Sequence, residues 1–170
     1  MPTLAKYFCI NFNLCNLVSS QASRDLYPSK HRSKIDGLLD FAQYRIKVSC
    51  DILMKTQFLL SLDKTNQRSE EAFTLEKVVL YNCAQTIEAT LGASPGPYLV
   101  CHSLTIADLA VFNALHMGLT IIKDPSYIDE EEVFSTKENF GKLNEWYKTM
   151  KQIETIRNTH KFFTSEYRLL

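Results

Sequence analysis

The stretch that most constrains the fold runs from residue 98 to residue 120 and reads YLVCHSLTIADLAVFNALHMGLT. Thr105 and Asp108 have the S/T-x-x-D/E spacing of a helix capping box. In such a box the threonine hydroxyl accepts from the Asp108 amide, and the carboxylate reaches back to the Thr105 amide. Leu104 and Leu109 are spaced for a hydrophobic staple across the same cap. The sequence therefore predicts that a helix begins at this point.

The predicted helix is apolar nearly all round. Between residues 106 and 119 only Asp108, Asn113 and His116 are strongly polar. A helix of this kind is buried, so it forms the centre of the domain. Its cap gives Asp108 a sufficient structural role, which we prefer to a catalytic one, and His116 is expected to be a hydrogen-bonded core residue.

The longest helical periodicity extends from Lys30 to about Leu60. Its apolar seam is Ile35, Leu39, Ala42, Ile46, Cys50 and Leu53. The opposite strip is Tyr44, Lys47, Asp51 and Lys55. This strip is either a solvated helix face or the wall of a cleft or subunit contact, and the sequence leaves both interpretations open.

Further helices are expected on either side of the central one. One is predicted from about Glu70 to Leu91, with Gly92 as its stop, followed by the helix breaker SPGP at residues 94–97. The acidic segment 123–137 is interpreted as a loop. The last apolar seam is Phe140, Leu143, either Trp146 or Tyr147, Met150 and Ile153. It is continued by Ile156, His160 and Phe163 into a short final helix. With no convincing strand pattern, the prediction is an all-α bundle of five to six helices.

The composition bounds the class of protein. The chain of 170 residues is 45% hydrophobic and 22% charged, with a formal net charge of zero, so we expect neither a nucleic-acid partner nor a membrane partner. Five widely spaced cysteines favour reduced thiols in the cytoplasm and not a disulfide framework or a metal site. No apolar run approaches the roughly 20 residues of a membrane span. Phosphate-binding, zinc-protease and serine-hydrolase motifs are all missing, and the residues alone assemble no active site.

Three segments resemble the C-terminal helical domain of glutathione S-transferases. Residues 98–109, YLVCHSLTIADL, are similar to its Y-L-x-G-x-x-x-T-x-A-D-L signature. The segment from Tyr27-Pro28 to Phe41 resembles the opening of its first helix, especially in theta-class enzymes, and residues 140–147 resemble its F-P-x-L-x-x-W segment. Cys101 stands where the family has glycine, and Gly141 where it has proline. Residues 4–8, LAKYF, are similar to the last helix of the preceding thioredoxin-like domain.

This resemblance implies half of a two-domain enzyme. In the family, a thioredoxin-like half binds glutathione and carries the catalytic Ser, Tyr or Cys. The helical half forms a wall of the substrate site and much of a dimer interface. We therefore expect residues 1–25 to be a remnant or linker and residues 26–170 to be the helical domain. Most of the glutathione-activating half is expected to be missing, and no metal is implied.

The resemblance also indicates candidate binding residues. Theta-like enzymes carry W-H-x-D-x-I-R on the long helix, and the matching positions include Phe41, Ala42, Tyr44 and Lys47. The cation is kept as Lys47, while the acid has become Tyr44. Tyr44, Lys47 and Asp51 are thus the predicted substrate-binding residues, beside the structural capping pair Thr105 and Asp108.

Three functional hypotheses follow. The first is a theta-like glutathione transferase with glutathione as co-substrate, present as a shortened chain that is inactive alone. The second is a non-catalytic interaction module, like the similar domains of elongation factor gamma subunits and aminoacyl-tRNA synthetase complexes. Both imply a homodimer or another protein partner. The third is a degenerate product with no stable fold.

Overall fold

The computed structural model describes residues 26–63, 65–122, 140–154 and 156. In chain order it contains a 3-10 turn at Ser29–His31, α1 (Arg32–Phe41), a π-helical turn at Ala42–Ile46, α2 (Lys47–Leu62), α3 (Gln67–Gly92), α4 (Ile106–Ile122) and α5 (Gly141–Gln152). Within these ranges there is no strand, and the all-α prediction is confirmed. The predicted N-terminal remnant, the acidic loop and the final helix beyond Ile156 lie outside the described residues.

The first helix runs without a break from α1 through the π-helical turn into α2. Most of the predicted seam is buried, but Leu38 takes the buried position expected for Leu39, which is half-buried. The buried positions Leu38, Ala42, Ile46 and Cys50 therefore follow each other at steps of four. In an ideal α-helix each such step rotates about 40° beyond a full turn. The wider π-helical turn takes up this rotation and keeps the seam on the core.

A short polar connection reverses the chain between α2 and α3. Asp63 Oδ1 accepts hydrogen bonds from the amide (2.9 Å) and the hydroxyl (2.7 Å) of Thr65, and these two bonds lower the pKa of Asp63. The side chain of Asn66 caps α3 by accepting from the Ser69 amide at 3.1 Å. This cap explains why α3 begins at Gln67, before the predicted start at Glu70.

The helices α2 and α3 lie side by side. Ser49 Oγ on α2 donates to Glu76 Oε2 on α3 at 2.6 Å, and the Ser49 side chain is buried. Thr56 and Ser69, nearer the connection, are buried as well. The short connection and these facing residues indicate an antiparallel helical hairpin.

The central helix α4 packs closely against this hairpin at Gly118. A Cβ added there would lie 2.8 Å from Cys50 Sγ on α2 and 2.7 Å from Leu80 Cδ2 on α3. The Cys50 thiol also donates to the Ala114 carbonyl of α4 at 3.4 Å. The side chains of α4 that are fully buried or nearly so are Ala107, Asp108, Val111, Phe112, Leu115 and Leu119. The helix is central, as its composition predicts.

The segment between α3 and α4 folds back on itself. The helix α3 ends at Gly92, where the Ala93 amide donates to the Ala89 carbonyl at 3.0 Å. A Cβ added at Gly96 would lie 2.6 Å from the His102 backbone, so this close approach requires glycine. Leu99 and Val100 of this segment are buried, and the segment leads into the cap of α4.

Candidate functional site

The predicted substrate-binding residues lie on one outward strip of the first helix. Tyr44 belongs to the π-helical turn and is 68% exposed. Lys47 and Asp51 follow on α2, each with about a third of its side chain exposed (36% and 37%). All three side chains are accessible to solvent on this helix face.

Two of these three residues contact each other. Lys47 Nζ lies 2.9 Å from Asp51 Oδ2, as an ion pair at i,i+4 spacing. Asp51 offsets the charge of Lys47, and a ligand carboxylate could either share the three donors of the ammonium with Asp51 or take the place of Asp51. With about a third of each side chain exposed, a pair of this kind contributes only about 0.5 kcal/mol, so replacing it with a ligand contact would cost little.

The capping pair is built around a fully buried carboxylate. Asp108 Oδ2 accepts from the Thr105 amide at 2.9 Å and from the Thr105 hydroxyl at 2.7 Å, while Oδ1 accepts from the Leu99 amide at 2.8 Å. The hydroxyl thus donates to the carboxylate and does not accept the Asp108 amide, which donates to the Thr105 carbonyl. That detail differs from the expected capping box. The Asp108 amide already donates to the Thr105 carbonyl, whereas a buried carboxylate is costly unless its oxygens accept hydrogen bonds. The Thr105 hydroxyl therefore donates to the carboxylate.

A fourth donor reaches Asp108 from α5. Trp146 Nε1 donates to Asp108 Oδ1 at 3.1 Å, and Trp146 is 2% exposed. The four donors match the four acceptor sites of a carboxylate. Asp108 therefore has no free acceptor for a substrate, and its role in this structure is to join the segment before α4, the start of α4, and α5.

An aromatic cluster joins α4 to α5 further along. His116 Nδ1 is hydrogen-bonded to the Tyr147 hydroxyl, and the His116 ring stacks on Phe112 at 5.7 Å. Phe112 also lies 4.9 Å from the Tyr147 ring. Burial raises the pKa of Tyr147, so its hydroxyl stays protonated at neutral pH. His116 is a hydrogen-bonded residue of this cluster, as its position on the central helix indicates.

The start of α5 is capped from another helix. Phe140, at its N-cap position, makes no capping hydrogen bond with its side chain. Instead, Glu88 on α3 accepts from the Leu143 amide at 2.6 Å and from the Lys142 amide at 3.2 Å. A carboxylate at a helix N-terminus satisfies free amides and interacts favourably with the helix dipole. Glu88 therefore fixes where α5 begins against α3.

The buried thiols of Cys50 and Cys83 are poor nucleophiles. Burial raises the pKa of Cys50 to about 12 and also raises the pKa of Cys83. Because the thiolate is the reactive form, neither thiol is activated at neutral pH. Cys101 is half-buried and lies 3.4 Å from the Ser103 hydroxyl.

Metal ligands and membrane spans were also sought in the described ranges. No group of three or more His, Cys, Asp or Glu side chains there could hold a metal ion. No helix in those ranges has both the length and the apolar character needed to cross a membrane.

Comparison with known proteins places the fold in a family. The family described as "Glutathione S-transferase, C-terminal domain" matches residues 53–158, which is more than half of the chain. The chain belongs to the glutathione S-transferase C-terminal domain family. The matched range contains the Asp108 capping site, the aromatic cluster and α5, whereas Tyr44, Lys47 and Asp51 precede it.

A curated protein with a similar sequence is also named as a glutathione S-transferase. The "Glutathione S-transferase omega-like 2" of Schizosaccharomyces pombe is 27% identical over 129 residues, covering 74% of this chain and 36% of that protein. The chain thus spans about a third of the relative's length. No solved structure matches the chain.

Sequence reasoning missed two of these contacts. Trp146 was expected in the core, but its bond to Asp108 spans 38 residues and has no local spacing to indicate it. Glu88 is separated from Leu143 by 55 residues. No spacing along the chain indicates Glu88 as the acceptor for these amides.

Proposed function

We propose that this chain is the helical, substrate-side half of a cytoplasmic glutathione transferase, with glutathione as co-substrate, and that it is inactive alone. The family match over residues 53–158 is the observation that carries the proposal. The division into a remnant at residues 1–25 and a helical domain at residues 26–170 remains a prediction and is part of this proposal.

The proposed reaction is attack of the glutathione thiolate on an electrophile. The thiol proton leaves to solvent or a base, and the sulfur forms a bond to the electrophilic carbon. In a substitution the leaving group departs from that carbon with its bonding electron pair; in an addition the π electron pair moves to the neighbouring atom, which is then protonated. A group must stabilise the thiolate. Among the described residues, Cys50, Cys83 and Tyr147 are poorly suited, because all three are buried with raised pKa values. We propose that a separate thioredoxin-like half supplies this group.

We further propose that the outward strip Tyr44, Lys47 and Asp51 faces the bound co-substrate. Glutathione carries carboxylates and an ammonium group, and Lys47 and Asp51 offer one partner of each sign. Tyr44, being 68% exposed, has its ring and hydroxyl available for a ligand. Exchange of the Lys47–Asp51 pair for ligand contacts would retain both charge pairings.

The class of transferase is a narrower part of the proposal. The match of the first helix to theta-class enzymes favours a theta-like protein, whereas the curated relative is named omega-like. We keep the theta-like assignment as our hypothesis. It predicts a hydroxyl as the thiolate-stabilising group of the other half, and sequencing of a longer transcript would test whether such a half is encoded.

A second candidate function is a non-catalytic interaction module. Its support is an outer apolar face on the helical hairpin, formed by Val48 (45% exposed), Leu75 (62%) and Val78 (52%). Val48 and Leu75 precede the hydrogen-bonded residues Ser49 and Glu76, so they lie near each other across the hairpin. Exposed apolar patches often bind other proteins, as a homodimer or a mixed complex.

Calorimetric titration of glutathione into the purified chain tests the first candidate. If the strip retains a glutathione site, we expect saturable heat at millimolar affinity or tighter, weakened at least fivefold by Lys47→Ala. The matched control is Lys55→Ala, which removes another lysine of the same strip and should leave the affinity unchanged. Equal affinities for both variants would show that glutathione binds elsewhere.

Sedimentation of the same chain tests the second candidate. A homodimer through the outer apolar face should dissociate when Leu75→Asp is introduced, with an unchanged circular dichroism spectrum. Glu71→Gln, on the same exposed side of α3, is the control. Absence of glutathione heat together with self-association sensitive to Leu75 would favour the interaction module, whereas a monomer at all concentrations would rule out the homodimer.

A further inference from the structure

We draw no further inference here: the strongest candidate, the outer apolar face formed by Val48, Leu75 and Val78 on α2 and α3, carries nothing because nothing in the structure shows what covers it.

Discussion

The indole of Trp146 donates a hydrogen bond of 3.1 Å to Asp108 Oδ1, across 38 residues of chain. The carboxylate that begins α4 therefore also positions α5. Since Asp108 is fully buried, each of its four donors depends on it as a partner that water cannot replace. Asp108 therefore stabilises both the local cap of α4 and the packing of α5 against it.

The first prediction concerns Asp108 itself. Asp108→Asn puts an NH₂ group where an oxygen accepts hydrogen bonds, so at least one buried donor loses its partner. We expect the free energy of unfolding to fall by about 2–3 kcal/mol. Urea denaturation followed by circular dichroism measures it, with the exposed Asp40→Asn as the control, expected within about 0.5 kcal/mol of the parent. A loss below that limit for Asp108→Asn would contradict the buried four-donor site.

Trp146→Phe tests the same site from the other side. It keeps an aromatic ring in the core but removes the indole donor, and we expect a cost of about 1–2 kcal/mol. Combined with Asp108→Asn, the two changes should be non-additive by about 0.5 kcal/mol or more, because they share one hydrogen bond. Strict additivity in the double-mutant cycle would mean that the two side chains do not interact.

Glu88 is predicted to stabilise α5 although it belongs to α3. Glu88→Ala leaves the amides of Lys142 and Leu143 without their acceptor, and we expect a loss of about 1–2 kcal/mol. Glu88→Gln retains an acceptor and loses only the charge, so it should cost less than half as much. Thermal or urea denaturation compares them with Glu145→Gln, an exposed change on α5. If the alanine variant matched that control, the capping contact would have no energetic role.

Two glycines in helices are predicted to respond in opposite directions. Gly118→Ala forces the buried side chains of Cys50 and Leu80 to shift, because the new Cβ would meet both below 3 Å, and we expect a loss of about 1–3 kcal/mol. Gly37→Ala in α1 has open space, so alanine should add about 0.5–1 kcal/mol through its higher helix propensity. The melting temperatures of the two variants test this prediction. Two shifts of the same sign would contradict the packing described at Gly118.

Stability is predicted to fall in alkaline solution. The pKa of Cys50 rises from 9.0 in its usual state to about 12 in the folded chain. Above pH 9 the unfolded chain releases a proton that the folded chain retains, so this contribution to stability is complete below pH 9 and is lost progressively toward pH 12.

The variant Cys50→Ala isolates that effect. Within the pH window above 9, each such thiol makes the free energy of unfolding fall by up to about 1.4 kcal/mol per pH unit. Urea denaturation between pH 8 and pH 10.5 should therefore show a flatter pH dependence for Cys50→Ala than for Cys101→Ala, at a half-buried position. Slopes are compared instead of absolute values because the alanine also leaves a cavity. Parallel slopes would show that Cys50 ionises as readily in the folded chain as in the unfolded one.

Local patterns were sufficient to predict the helical architecture. The spacing of Thr105 and Asp108 marked the start of α4, and the seam from Ile35 to Leu53 marked the long first helix, because both depend on residues three or four positions apart. The π-helical turn at Ala42–Ile46 was not predictable in this way. The turn contains no proline or glycine that would indicate it. Its cause is tertiary, because the buried seam of the long first helix packs against α4.

The candidate site was less accessible to sequence reasoning. The i,i+4 spacing of Lys47 and Asp51 indicates that they share a face, but not that they are paired. Contacts between distant segments, such as Glu88 with Leu143 and Trp146 with Asp108, carry no pattern along the chain. Tertiary packing brings these partners together, so they become visible only in the three-dimensional structure.

The donors that converge on Asp108 have a consequence for how the domain unfolds locally. Leu99, Thr105 and Trp146 come from three segments, yet none can leave its place without abandoning a bond to one buried carboxylate. A partial opening that released α5 alone would still lose the Trp146 bond and part of the core beneath it. The segment before α4, the first turn of α4 and α5 are therefore expected to behave as one cooperative unit, whose amide protons exchange with solvent through a shared opening event.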